Sequence, residues 1–249
     1  MSRTIAIIQA RLGSSRLKAK LARKLGGKSL LEWVVRRMTD CQQLDGVVVA
    51  TGDQPQDHRL AALVPPDVAV FVGSETDVLG RFVAAAEQFD ADSIVRVCAD
   101  NPFIDPALVD RLVTTARQQP HFDYISYCLQ NGRPVILSPV GVFAEWTSTE
   151  ALKRANAEVT SAADREHVTR YIYSHPEKFR VRLIPAPAAL DRDDLRLTID
   201  LEEDLAHAEA IYEALGPEGL DWQRIAGLLD HQPALRARMA HLNRAHAKV

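Results

Sequence analysis

The stretch TIAIIQARLGSSRLKAKLARKLGGK, Thr4 to Lys28, carries the decision about the fold. It opens with an apolar run, Thr4 to Gln9, of the kind a strand shows when both its faces are covered. Then come Arg11, Arg16, Lys18, Lys20, Arg23, Lys24 and Lys28, with no acidic residue before Glu32. Three further runs read like the first: GVVVAT (46–51), VAVFV (68–72) and SIVRVC (93–98). Helical patterns separate them: LLEWVVRRM (30–38), PQDHRLAALV (55–64) and DVLGRFVAAAEQF (77–89). After the fourth run, Asp105 reads as an N-cap with Pro106 in the first helical position. Alternation at this spacing means a doubly wound α/β sheet, mostly parallel. Such sheets bind ligands at the carboxyl ends of their strands. The loop from Ala10 to Leu21 is therefore expected at the mouth of a site.

The second half is less regular. Residues 123–146 contain Asn131-Gly132 flanked by β-formers and then two prolines, which reads as an inserted β-hairpin excursion from the main sheet. Helices are expected at 148–159 and 163–175, and strands at 179–186 and 194–200. A helix over 202–216 ends at a glycine cap with Pro217 beyond it, and the tail reads as helical. Neither a linker nor a repeat interrupts the chain, so residues 1–249 are expected to form one domain.

With 249 residues, 47% of them hydrophobic, the chain can bury a large core. A net charge of -3 argues against general nucleic-acid binding, so the cations after the first strand serve a local anion. Cys41, Cys98 and Cys128 lack metal-ligand spacing and are expected to be reduced thiols. The opening MSRTIAIIQ is too short in apolar residues for a signal peptide, and no run approaches a membrane span. The expectation is a soluble cytoplasmic protein with no membrane or nucleic-acid partner.

The loop Ala10–Lys20 has a small-residue centre, Gly13, Ser14 and Ser15, whose backbone N–H groups can approach an anion closely. Arg11, Arg16 and Lys20 add the charge that grips phosphate oxygens. From charge alone, a solvated basic loop explains the same residues. Neither the GxxxxGK[ST] nor the GxGxxG pattern is present. Asp100 and Asp200 each follow an expected strand, where two carboxylates can hold Mg²⁺ against phosphate oxygens. Each could equally cap the helix that follows it.

IIQARLGSSRLKAKLARKLGGKSLLEWVVRRM resembles the N-terminal signature of the cytidylyltransferases that activate acidic sugars. VVVATGDQPQD, VFVGSETDVLGRF, RVCADNPFIDPALVD, DREHVTRYIYSHPEKFR, LRLTIDLEEDLAHAEAIYEAL and HQPALR follow in the order of the spore-coat polysaccharide branch, across nearly the whole chain. The resemblance implies a Rossmann-like sheet of the GT-A nucleotide-diphospho-sugar transferase type. It implies that Ala10, Gly13, Ser14, Ser15 and their neighbours wrap CTP, with Arg11, Arg16 and Lys20 on its phosphates. Asp77 and Arg81 would lie near the cytosine. Asp100 and Asp200 would bind Mg²⁺, and Arg11, Arg16, Lys20 and Asp100 would carry the reaction. Arg165, Glu166 and His167 would face the acidic sugar acceptor, or simply begin a helix. The acceptor hydroxyl would attack the α-phosphorus and expel pyrophosphate, in a homodimer joined through 123–146.

Three departures accompany this likeness. Lys18 stands where relatives have proline, and ADNPF replaces GDCPL while keeping Asp100. In LSPVGVF (137–143), Pro139 and Gly141 take the positions of two acidic residues in a strand on the acceptor side. Two rival readings are a glycosyltransferase of similar sheet and a catalytically weak nucleotide-binding relative. The first would want a DxD motif, which Asp100-Asn101-Pro102 does not supply.

Overall fold

The four apolar runs of the first half are strands lying side by side, in a computed structural model that describes residues 2–13, 17–55 and 57–246. In chain order the strands are β1 (Thr4–Gln9), β2 (Lys24–Leu25), β3 (Lys28–Ser29), β4 (Gly46–Gly52) and β5 (Ala69–Gly73). They continue with β6 (Ser93–Cys98), β7 (Tyr124–Cys128), β8 (Glu145–Ser148) and β9 (Val181–Pro185). Seven of them make one sheet in the order β5-β4-β1-β6-β8-β7-β9, while β2 and β3 pair only with each other. Every neighbouring pair in the large sheet is parallel except those made by β8, which runs against both β6 and β7.

Strict alternation along β1 builds two cores. Ala6 and Ile8 face one side, where α1 (Leu30–Thr39) and α3 (Pro106–Gln118) pack. Ile5 and Ile7 face the other, against α2 (Val78–Gln88) and α4 (Thr149–Glu158). Covering both faces is why β1, β4 and β6 read as continuous apolar runs. The remaining helices are α5 (Ala162–Glu166), α6 (Arg170–Ser174), α7 (Glu202–Leu215), α8 (Trp222–Asp230) and α9 (Pro233–Ala245). Asp105 caps α3 as expected: its Oδ1 accepts from the Ala107 and Leu108 amides at 3.0 and 3.2 Å. Its Oδ2 accepts from the Trp222 amide at 3.0 Å and so ties α8 to the same end of the sheet.

Several expectations are corrected. The segment 123–146 is not a hairpin outside the sheet: its ends are β7 and β8 of the main sheet, and only 129–144 departs. The turn at Asn131-Gly132 is present, closed by the Leu129 amide on the Arg133 carbonyl at 2.9 Å. Where a helix was expected over 55–64, Asp57–Leu63 form a 3₁₀ stretch. The helix expected at 163–175 breaks into α5 and α6 at Val168, whose φ of 46° no α-helix accommodates.

Neither 137–143 nor 194–200 is a strand. These two segments bind each other instead: the Leu197 and Thr198 amides both donate to the Pro139 carbonyl, at 2.9 and 3.2 Å. Gly141 (φ 72°) lies so close that a Cβ there would come within 2.6 Å of the Thr198 nitrogen. Alternating hydrophobicity at 194–200 records burial of Leu195, Leu197 and Ile199, which sheet pairing is not needed to achieve.

Candidate active site

The carboxyl ends of β1, β4, β5 and β6 open on one edge, and the loops that follow them meet there. Residue Ala10 continues the line of β1, its amide donating to the Ala50 carbonyl at 3.1 Å. Leu12 is held by its amide on Asp57 Oδ1 at 2.8 Å. Arg11 and Gly13 are exposed; Ser14, Ser15 and Arg16 lie outside the described residues. The chain re-enters at a 3₁₀ turn, Lys20–Ala22, preceded by Ala19 in the left-handed region at φ 49°.

That turn delivers Lys20 to the centre of the site. Its Nζ lies 3.1 Å from Asp100 Oδ2 and 3.1 Å from Asp200 Oδ1. Burial disfavours the charged ammonium, but the two carboxylates outweigh it and hold the Lys20 pKa above its usual value. Asp100 sits on the turn after β6, and its carbonyl accepts from the Ile199 amide at 2.9 Å. This bond brings the Asp200 segment alongside the Asp100 turn, although the two carboxylates are 100 residues apart in the chain.

Asp200 is not the cap of α7. Asp204 does that work, with Oδ2 accepting from the Asp200 and Leu201 amides at 2.9 and 3.0 Å. Arg196 grips the same carboxylate at 2.6 and 3.0 Å, both side chains buried. With its capping role taken, Asp200 turns toward Lys20. The two oxygens that converge on one ammonium are acceptor-only, hard donors. One or two such carboxylates are what Mg²⁺ uses when substrate phosphates complete its shell. The pair therefore fits that ion, and no cluster of three or more metal-ligating side chains exists among the described residues.

The other sequence candidates divide. Arg11 reaches Glu166, Nη2 to Oε1 at 3.4 Å, so the basic loop and α5 face each other across the edge. His167 is exposed at the end of α5. Asp77 caps α2, accepting from the Gly80 amide at 2.9 Å, and Arg165 Nη1 lies 3.2 Å from each of its oxygens. Arg165 Nη2 also donates to the carbonyls of Asn156 and Val159, at 2.9 and 2.8 Å. Asp77 and Arg165 thus form one clamp that fastens α5 to α2. Arg81 is buried, with Nη1 donating to the Ser74 carbonyl at 2.7 Å. Burial pulls its pKa down, and nearby Asp57 works against that.

Sequence reasoning missed two groups. Asp57, five residues past the end of β4 and inside a stretch read as helical, carries no local sign that it is buried. The other is a buried network on the sheet. Arg96 donates to Glu145 Oε2 at 2.6 Å and to Gln9 Oε1 at 3.1 Å. The Tyr124 and Thr169 hydroxyls donate to Glu145 Oε1 at 2.5 and 2.9 Å. Thr169 follows the strained Val168, so this network pins the turn that carries His167 to the strand ends. A charge inside a short strand reads as a solvent-facing residue, and nothing in the pattern announces it.

These features, a mostly parallel sheet with a cationic loop and paired carboxylates at its carboxyl edge, are those of a nucleotide-handling transferase. A family model described as cytidylyltransferase matches residues 5–223, and the chain belongs to the cytidylyltransferase family of nucleotidyltransferases. It is 35% identical to the spore coat polysaccharide biosynthesis protein SpsF of Bacillus subtilis, over 87% of this chain and 89% of that one. It is 28% identical to the 3-deoxy-manno-octulosonate cytidylyltransferase of Acidobacterium capsulatum, over 85% of this chain and 90% of that one. A cytidylyltransferase structure from Leptospira borgpetersenii superimposes with a TM-score of 0.84 at 25% identity, covering 94% of this chain and 97% of that one.

Proposed function

We propose that this protein transfers CMP from CTP to an acidic sugar in surface-glycan biosynthesis, releasing pyrophosphate with the help of Mg²⁺. The observation that carries this reading is the convergence of Asp100, Asp200 and Lys20 beside the basic loop. Arg11, Arg16 and Lys20 hold the triphosphate, and their charge stabilises the pyrophosphate as it leaves. Asp100 and Asp200 hold Mg²⁺, which when bound neutralises phosphate oxygens and favours attack at phosphorus. The acceptor hydroxyl attacks the α-phosphorus in line, and positioning supplies much of the rate enhancement. Glu166, His167 and the turn pinned by Glu145 form the acceptor side.

At Pro139 and Gly141, where the resemblance expects two acidic residues, the acceptor side is altered. That segment braces the Asp200 loop here, by backbone contact that a longer side chain at Gly141 would break. The loop 129–144, with Leu137 exposed at 46%, is the surface offered to a second copy of the chain. The enzyme works in the cytoplasm; no described helix is long and apolar enough to cross a membrane.

The test is thermal melting with CTP, UTP, ATP and GTP, each with and without Mg²⁺, followed by pyrophosphate release with a panel of acidic sugars that includes 3-deoxy-manno-octulosonate. A ligand at about 100 times its Kd adds roughly 2.7 kcal/mol. Selective stabilisation by CTP that Mg²⁺ strengthens is the expected result. Indifference to every nucleotide would remove the reading.

A further inference from the structure

At the carboxyl end of β1, Gln9 is half-buried and held by only one end of its side-chain amide. Its Oε1 accepts from Arg96 Nη2 at 3.1 Å and from Arg96 Nε at 3.4 Å. A guanidinium only donates, so the amide oxygen is the atom that faces it, and the –NH₂ group faces the other way. Among the described residues nothing accepts from Gln9 Nε2, and that nitrogen keeps solvent access at the strand end. Arg96 is itself fixed. It is 6% exposed, and its Nη1 donates at 2.6 Å to the fully buried Glu145, whose Oε1 takes the Tyr124 and Thr169 hydroxyls. Hydrogen bonds in such a chain polarise one another, so the outward N–H of Gln9 is an oriented and strengthened donor.

The alternation of β1 decides what this donor faces. Gln9 follows Ile5 and Ile7, so it lies on the face where Val168 and Ile172 pack the α5–α6 turn onto the sheet. Tyr173 of α6 sets its ring 5.9 Å from that of Tyr124, which brings α6 to the same buried network. Leu17 and Leu21, on either side of Lys20, and Ile199, just before Asp200, pack on the opposite face. Displacement at phosphorus puts the attacking and leaving oxygens in line, on opposite sides. With pyrophosphate drawn toward Lys20 on one face, the acceptor arrives from the other, where Gln9 stands.

Resting on the CMP-transfer reading, we infer that Gln9 is a binding residue for the acceptor, its Nε2 N–H donating to the carboxylate of the acidic sugar. Of the three residues that the resemblance placed on the acceptor side, Arg165 is committed to Asp77, and Glu166 is a carboxylate that would repel an anion. Gln9 supplies a donor that neither of them offers. Because its oxygen is held by Arg96, the amide cannot turn to present the wrong end.

The experiment measures pyrophosphate release from CTP in Mg²⁺ with 3-deoxy-manno-octulosonate as acceptor, or with the fastest sugar of the panel if that one is inert. Gln9→Glu keeps an oxygen for Arg96, so the buried network stays paired, and turns a second carboxylate oxygen toward the sugar. The acceptor KM is expected to rise about tenfold or more, while the Kd for CTP, read by calorimetry, stays within about twofold of wild type. Gln9→Met removes the donor without adding charge and should raise the same KM by a smaller factor. An unchanged acceptor KM in folded Gln9→Glu overturns the assignment. So does an equal loss of CTP affinity, which would move Gln9 to the nucleotide. If Gln9→Glu fails to fold, the wild type decides with the same sugar after its carboxylate is reduced to a hydroxymethyl group. An acceptor KM within about twofold of the parent sugar then overturns the assignment, and a rise of about tenfold supports it. Normal CTP binding and turnover with an unmoved acceptor KM defeat this inference alone. No pyrophosphate release with any sugar defeats the proposed function and this inference with it.

Discussion

Gly141→Ala removes nothing from the protein except space, and it tests how Asp100 and Asp200, the carboxylates proposed to hold Mg²⁺, are held together. The added methyl would sit 2.6 Å from the Thr198 nitrogen, 2.8 Å from the Leu197 carbonyl carbon and 2.9 Å from Thr198 Oγ1. Two of those atoms are backbone, so no side-chain rotation relieves the overlap. The residue also keeps φ near 72°, where any side chain costs about 1–2 kcal/mol. Overpacking of a tight contact adds about 1–3 kcal/mol. A loss of about 3 kcal/mol lowers Tm by about 6–12 °C in a chain of this size. Because the displaced backbone is the one that leads to Asp200, the extra stabilisation that Mg²⁺ gives to the CTP complex should also shrink. The control is Gly227→Ala in α8, where a Cβ meets nothing within 4 Å. There, gain of helix propensity should raise stability by up to about 1 kcal/mol. A Gly141→Ala Tm within about 2 °C of wild type, with an unchanged Mg²⁺ effect, would refute the idea that close backbone contact sets the Asp200 position.

Four further outcomes are expected. Asp100→Asn should abolish pyrophosphate release while circular dichroism and Tm stay near wild type; turnover at the normal rate would remove Asp100 from the metal. Lys20→Met should tighten binding of Mn²⁺ in the absence of nucleotide, because the ammonium competes for the same two oxygens, and should weaken triphosphate binding; equal Mn²⁺ affinity in both proteins would contradict the competition. Glu145→Gln strips the buried Arg96 of its counter-charge and should destabilise by about 3–5 kcal/mol in urea melts, with part of the loss recovered when Arg96→Met is added. His207, buried on α7, has its pKa lowered by burial, with Asp204 opposing. The unfolded chain then binds more protons below the ordinary histidine pKa of about 6.5, so stability should rise from pH 5 to pH 7. His207→Gln should flatten that rise, and an identical slope in the variant would exclude His207 as its source.

The sequence alone determined the parallel half of the sheet, because β1, β4 and β6 are covered on both faces and such strands appear as unbroken apolar runs, with β5 an apolar but partly exposed edge strand. It likewise marked the helix start at Asp105, since capping is a local bond between a side chain and amides two or three residues on. It placed Lys20 and Asp100 at one edge, because strand ends in such a sheet share a side; Asp200 was expected there at the end of a strand that does not form, and it arrives through the backbone bonds of its segment to Asp100 and Pro139. Only the tertiary structure decided what those residues do to one another. The Ile199–Asp100 bond that brings the carboxylates together spans 99 residues. Nothing local records that Asp204, and not Asp200, caps α7, or that Gly141 is glycine because Thr198 presses on it. Asp57, Glu145 and Arg96 were missed for the same reason. A charged residue reads as exposed until the elements that bury it, supplied by distant parts of the chain, are seen packed around it.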